Sequence, residues 1–201
     1  MDLQRASENL NRNGFKARVF VTAEEAKAAA LELIPAGASV GIGGSVTVRQ
    51  LGLREALLER GNAVWWHWYA SPEARAETLR QAQRADVYLM SSNAVTMQGE
   101  LVNIDGTGNR LGSMLYGPGT VLIICGRNKL AEDYTGAFDR IKNVACPLNA
   151  RRLKLNTPCA ATGRCSDCSS PQRMCSATVR LHRPPGGRAF HVLLVDEDLG
   201  Y

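Results

Sequence analysis

The chain has no apolar run long enough to cross a membrane. Its densest stretch, Val121-Leu-Ile-Ile-Cys125, falls far short of the ~20 residues a membrane helix needs. The opening residues Met1-Asp-Leu-Gln-Arg5 mix acid and base and lack an apolar signal core, so a cytoplasmic protein with no membrane partner is expected. There is no internal repeat and no low-complexity tract, which excludes solenoid and linker-like chains. No Gly-Lys-Ser/Thr phosphate loop occurs, nor a complete dinucleotide fingerprint. Histidine is scarce. His67, His182 and His191 stand in no motif, and His67, flanked by Trp66 and Trp68, reads as part of an aromatic packing or interface patch.

What is present suits one globular core: 201 residues, 45% hydrophobic and 21% charged, expected as a single domain over 1–201. The net charge of +5 is unevenly placed. Residues 1–139 carry fourteen Lys/Arg against fifteen Asp/Glu, whereas 140–190 carry ten against one acid, Asp167. Such a stretch serves an anionic ligand or a solvated surface. Nucleic acid is disfavoured, because no recognised binding motif accompanies the charge and aromatic residues are scarce there.

The pattern alternates strands and helices. Helical spacing over Leu3 to Leu10 precedes a strand from Phe15 to Val21. Thr22-Ala-Glu-Glu25 is a capping-box start for an alanine-rich helix. Short strands are predicted at Ser39–Ile42, Ala63–Trp66, Val87–Met90, Thr120–Cys125 and Phe190–Val195. Helices are predicted from Ser45 to about Arg60, from Ser71 to about Ala85, over Arg110–Leu115 and over Glu132–Ile141. This order implies an α/β fold of three layers, with a mostly parallel sheet covered on both faces. Residues 146–187 read as an irregular Cys-rich region that something must hold together.

Three loops carry candidate chemistry. Gly43-Gly44-Ser45-Val-Thr47 turns from a strand into a helix, a geometry that holds phosphate or carboxylate, or that simply caps the helix through Ser45. Ser91 to Arg110 crowds Ser92, Asn93, Glu100, Asn103, Asp105, Gly106, Thr107, Gly108, Asn109 and Arg110 together, a selection that suits a pocket better than a solvent loop. Within it, partial burial of Glu100 would raise its pKa for acid–base or nucleophilic work, and otherwise it is an exposed hairpin acid. Asp105 can accept, and Arg110 can grip an anion at two points. Asn128 and Lys129 follow the apolar strand, where Lys129 adds positive field to a pocket or is a surface lysine.

Cys159, Cys165, Cys168 and Cys175 cluster with spacings x5, x2, x6. In a cytosolic-looking chain they argue for a metal before a disulfide, either zinc in a closed four-cysteine site or an iron–sulfur cluster. Cys125 reads as a core residue, and Cys146 is undecided.

The succession Gly-Gly-Ser-x-Thr (43–47), Ser-Ser-Asn-Ala-x-Thr (91–96), Gly-Glu-Leu-x-Asn-x-Asp-Gly-Thr-Gly-Asn-Arg (99–110), Gly-Pro (117–118) and Gly-x-Asn-Lys (126–129) resembles the lactate-utilisation (LUD) domain family. The likeness is to its short members with a C-terminal cysteine motif. It implies a fold like that of CoA-transferases and ribose-phosphate isomerases, and a part in oxidising L-lactate or a related organic acid. It further implies iron–sulfur or flavin redox partners and a small anionic ligand bearing phosphate, CoA or carboxylate. A homo-oligomer is also open. CoA-transferases use a glutamate nucleophile, which makes Glu100 its candidate analogue. Two classes of function remain: an enzyme working through Glu100 and Asp105, or a noncatalytic subunit or sensor that binds an anion and docks redox partners.

Overall fold

The strand over Thr120–Gly126 sets the architecture: six of its seven residues are buried, because it lies centrally in a sheet covered on both faces. The computed structural model describes all residues, Met1–Tyr201. In chain order the elements are α1 (Leu3–Arg12), β1 (Lys16–Phe20), α2 (Ala23–Leu33), β2 (Val40–Ile42), α3 (Val46–Gln50), α4 (Leu53–Glu59), β3 (Val64–Trp66), α5 (Arg75–Arg84), β4 (Val87–Met90), β5 (Ala94–Thr96) and β6 (Leu101–Asp105). They continue with α6 (Asn109–Tyr116), β7 (Thr120–Gly126), β8 (Leu130–Ala131), α7 (Tyr134–Arg140), α8 (Cys146–Arg152), α9 (Pro158–Thr162), β9 (Ala177–Leu181) and β10 (Ala189–Val195).

The main sheet has the order β1-β10-β7-β4-β2-β3, and every neighbouring pair is parallel. Alternation along β7 divides the core. Val121, Ile123 and Cys125 meet α1 and α6, while Leu122 and Ile124 meet α2, α3 and α4. A strand buried on both faces must be apolar at both parities, hence the continuous run in the sequence. Thr22 and Glu25 form the reciprocal capping box at the start of α2.

The structure departs from the sequence pattern in three places. The helix expected from Ser45 to Arg60 is broken into α3 and α4 at Gly52, which has a left-handed backbone (φ +61°). A second, smaller sheet of order β8-β5-β6-β9 occupies the polar segment. Finally, residues 146–187 are not all irregular. A π-helical turn over Ile141–Ala145 carries α7 into α8, and β9 pairs along the whole of β6 from Asp105↔Ala177 to Leu101↔Leu181. No helix is long and apolar enough to cross a membrane.

Gly41 shows how closely α5 lies on the main sheet: a Cβ there would fall 2.1 Å from the carbonyl oxygen of Ala82. Gly41→Ala is therefore expected to lower stability by about 1–3 kcal/mol through overpacking, read as a lower urea midpoint with an unchanged slope.

Candidate functional site

Parallel strands all release their loops at one end, and here those loops meet. The segments after β2 (Gly44, Ser45), β3 (His67, Trp68), β4 (Ser91, Ser92, Asn93) and β7 (Lys129), joined by the segment after β6 of the small sheet (Gly106, Thr107), line one cavity of about 230 Å³. The connection from β2 to β3 runs over the α2 face of the sheet, and that from β3 to β4 over the opposite face. The cavity thus sits at the carboxyl ends of the strands beside a reversal of winding, the usual ligand position in open α/β sheets. Ser45, Asn93 and Asn109, distant in sequence, all face it.

At the floor lies Lys129, carried by a single 3-10 turn (Arg127–Lys129) between β7 and β8. It is 4% exposed, so it is no surface lysine. Its Nζ donates to Ser91 Oγ at 3.0 Å and has no acidic partner. Burial pulls its pKa down to about 8; the nearby Cys125 thiol opposes the fall, and the cations Arg140 and Arg110 add to it. Arg140 is similarly placed. Its guanidinium donates to the carbonyls of Asn128 and Asn93, both at 2.7 Å, and ties the β4 and β7 loops together without meeting a carboxylate.

Asp105 and Arg110 form the one ion pair that touches the cavity, at 2.5 Å. Asp105 Oδ2 also accepts from the amides of Arg110 and Leu111 (2.9 and 3.1 Å), which seats the start of α6. Arg110 Nη2 further donates to Asn93 Oδ1 and the Ile104 carbonyl, at 3.0 and 2.9 Å. Both groups are spent on holding the loops. Asp105 thus clamps the start of α6 and the Arg110 guanidinium, and Arg110 braces the wall chiefly through Nη2. Gly43 belongs to the same clamp, since a Cβ there would lie 3.1 Å from Arg110 Cγ.

Other expected contacts are structural too. Ser45 Oγ accepts from the Val48 amide at 3.2 Å and caps α3, so the capping alternative holds, although the residue also lines the cavity. Thr47 is fully buried and donates to the Leu199 carbonyl. Asn128 bonds Leu199 and Gly200. Asn103 is buried between the amide of Asn93 and the hydroxyl of Ser92. Gly108 supplies the left-handed turn before α6, and Thr107 donates to Asn109 Oδ1 at 2.7 Å.

Glu100 lies away from the cavity, in the β5–β6 turn. Arg180 donates to both of its carboxylate oxygens (3.0 and 2.8 Å), and His182 Nδ1 lies 2.7 Å from one of them. Burial opposes the charge, but the bonds and charges of Arg180 and His182 outweigh it and hold the carboxyl below the usual carboxylate value. The expected raised pKa is therefore reversed. In the other direction, sequence reasoning missed His67, Trp68, Arg75, Asn149, Arg152 and Tyr201, all of which line the cavity. His67 and Trp68 stand in an aromatic patch, and Arg75, Asn149 and Arg152 sit on helices, where no motif marks them.

The cysteine region borders the same cavity. Met174 packs on Gly106, the Ser176 amide donates to the Asp105 carbonyl at 2.9 Å, and Cys146 lines the wall. Cys175 lies 3.8 Å from Lys142 Nζ, and Cys165 accepts from the Asp167 amide. Burial pushes the Cys146 thiol up to about 12, with Cys175 adding to the effect. All six cysteines are free thiols. No three Cys, His, Asp or Glu side chains form a group that could hold a metal ion. The segment is braced by Arg173, which bonds the carbonyls of Cys168 and Cys175 and the carboxylate of Asp167.

No curated protein matches the chain. Among solved structures, a DUF162 family protein from Deinococcus radiodurans shares the fold with a TM-score of 0.55 at 15% identity, over 96% of this chain and 95% of that one. The LUD domain profile matches residues 3–195, nearly the whole length, and the chain belongs to the LUD domain family.

Proposed function

We propose that the chain captures a small organic acid by its carboxylate at Lys129, and that it serves the use of lactate or a related acid in that capacity. The observation that carries this reading is a buried ammonium, open to a cavity, with no acid to neutralise it. A group in that position has its charge completed by an anion from outside the chain. A cavity of about 230 Å³ suits a metabolite of about ten heavy atoms better than a dinucleotide. Membership of the LUD domain family supports the organic-acid class.

Of the two roles open at the level of sequence, anion capture is the better supported. Glu100 is remote and Asp105 is locked to Arg110 and α6, so neither is free to transfer a proton at the cavity. Lys129 is the cavity group whose displaced pKa lies nearest neutrality, with His67 down at about 4 and Cys146 up at about 12. Any proton held or moved beside the ligand falls to it.

Lys129→Met should weaken glycolate or L-lactate binding at least tenfold by calorimetry, the scale of one charge-assisted bond. It should also raise the unfolding free energy by roughly 1–3 kcal/mol, because a depressed lysine pKa means that the charged form is destabilised in the fold. Glu100→Gln supplies the contrast. It should leave acid binding within twofold of wild type and lower stability by about 1–3 kcal/mol, since Arg180 loses a charged partner. A glycolate affinity that falls with Glu100→Gln and not with Lys129→Met would sink the reading.

The pH dependence has a definite sign. Binding needs the ammonium, whose pKa in the free protein is about 8. Carboxylate affinity should therefore be flat below that pH and fall toward tenfold per unit above it. Lys129→Met should flatten the curve.

A further inference from the structure

The outer half of the cavity holds a second set of charges that the carboxylate at Lys129 would leave unanswered. Arg152, at the end of α8, lies with its guanidinium 4.4 Å from the ring centre of Trp68, which in turn stacks on Trp66 at 5.2 Å. Its Nε and Nη2 donate to Asn149 Oδ1 (3.1 and 2.7 Å), and Nε also reaches the Tyr201 hydroxyl at 2.9 Å. The guanidinium is thus oriented by neutral groups alone, with Nη1 unused. Arg75, at the start of α5, also lines the cavity and has no acidic partner. His67 lies within the field of both, 8% exposed, with a buried Nδ1 that has no hydrogen-bond partner. Both arginines act on this one imidazole: burial first, then the charges of Arg75 and Arg152, bring its pKa down to about 4. The site therefore presents two cations and a neutral ring nitrogen, and no acid.

Resting on the reading above, we propose that this rim is a phosphate subsite, and that the ligand is a small organic acid carrying a phosphate a few atoms from its carboxylate. Charge decides for phosphate over a second carboxylate. Three of the residues that line the cavity, Lys129, Arg75 and Arg152, are cations without an acidic partner. A carboxylate with a phosphate of about −1.5 to −2 nearly cancels them, whereas a dicarboxylate leaves one over. Guanidinium forks also match the tetrahedral oxyanion in shape. Held on the Trp68 face, Arg152 loses little side-chain freedom on binding.

Calorimetry on the full chain with glycolate, 2-phosphoglycolate and inorganic phosphate tests this. Wild type should bind 2-phosphoglycolate at least tenfold more tightly than glycolate. Arg75→Gln, at an exposed position where folding is not at risk, should lower affinity for inorganic phosphate at least fivefold. Arg75→Gln/Arg152→Gln should erase the preference for 2-phosphoglycolate, and Lys129→Met should weaken glycolate while leaving inorganic phosphate within threefold. Equal affinity of wild type for glycolate and 2-phosphoglycolate would overturn the subsite, as would phosphate binding indifferent to Arg75→Gln. The capture reading survives either result so long as glycolate binding depends on Lys129; it fails separately if glycolate binding does not.

Discussion

An almost wholly buried ammonium without a carboxylate partner is the constraint around which this molecule is arranged. Lys129 costs the fold about 3 kcal/mol at neutral pH, taking its pKa from 10.5 to about 8. That is a sizeable share of the ~5–15 kcal/mol that separates most domains from unfolding. The penalty persists because nothing near Lys129 can move away. β7 behind it is buried on both faces. The terminal Leu199–Gly200 segment is pinned by Thr47 and Asn128. Arg140 fixes the neighbouring loop carbonyls from below. A flexible lysine on a looser turn would swing its Nζ to solvent and recover its hydration.

Most of the polar residues around the cavity exist to hold that arrangement. Asp105, Arg110, Asn93 and Asn103 join β4, β5, β6 and α6 into one bonded network that is partly shielded from water. Shielding strengthens such bonds and makes a missing partner costly, so the network behaves as a unit. The consequence is a rigid wall of largely satisfied groups, against which the unsatisfied ones stand out. Lys129, Arg75 and His67 Nδ1 stand apart by having partners that are few or none, which is where ligand chemistry belongs.

This division also explains what the sequence could and could not reveal. The apolar run Val121–Cys125, the Thr22/Glu25 box and the convergence of the glycine-punctuated loops were legible because each is set by local pattern or by the geometry of parallel strands. The role of each polar residue was not. Asp105 and Glu100 look alike in sequence as acids beside glycines, yet one clamps a helix at the cavity and the other pairs with Arg180, 80 residues away. Lys129, in Arg-Asn-Lys, looks solvent-facing; only the tight turn into β8 buries it. The small sheet was hidden because Asn93 and Asn103 sit in and beside its strands, where alternation of apolar residues gives no signal.

The basic stretch over 140–190 makes the same point on a larger scale. As a count of charge it suits an anionic ligand or a solvated surface. In the fold, Arg140, Arg151, Arg173 and Arg188 are turned to backbone carbonyls, and Arg180 is paired with Glu100. A guanidinium presents five donors and no acceptor, so it suits the orphan carbonyls of turns and helix ends that a segment with little regular structure leaves behind. The positive charge is then partly a by-product of bracing, and it falls beside the cavity because that is where α7, α8 and the cysteine region cross the ends of the strands. Bracing and anion capture draw on different residues: Arg140 and its kind hold the walls, while cations left without an acidic partner, Lys129 and Arg75 among them, face the cavity.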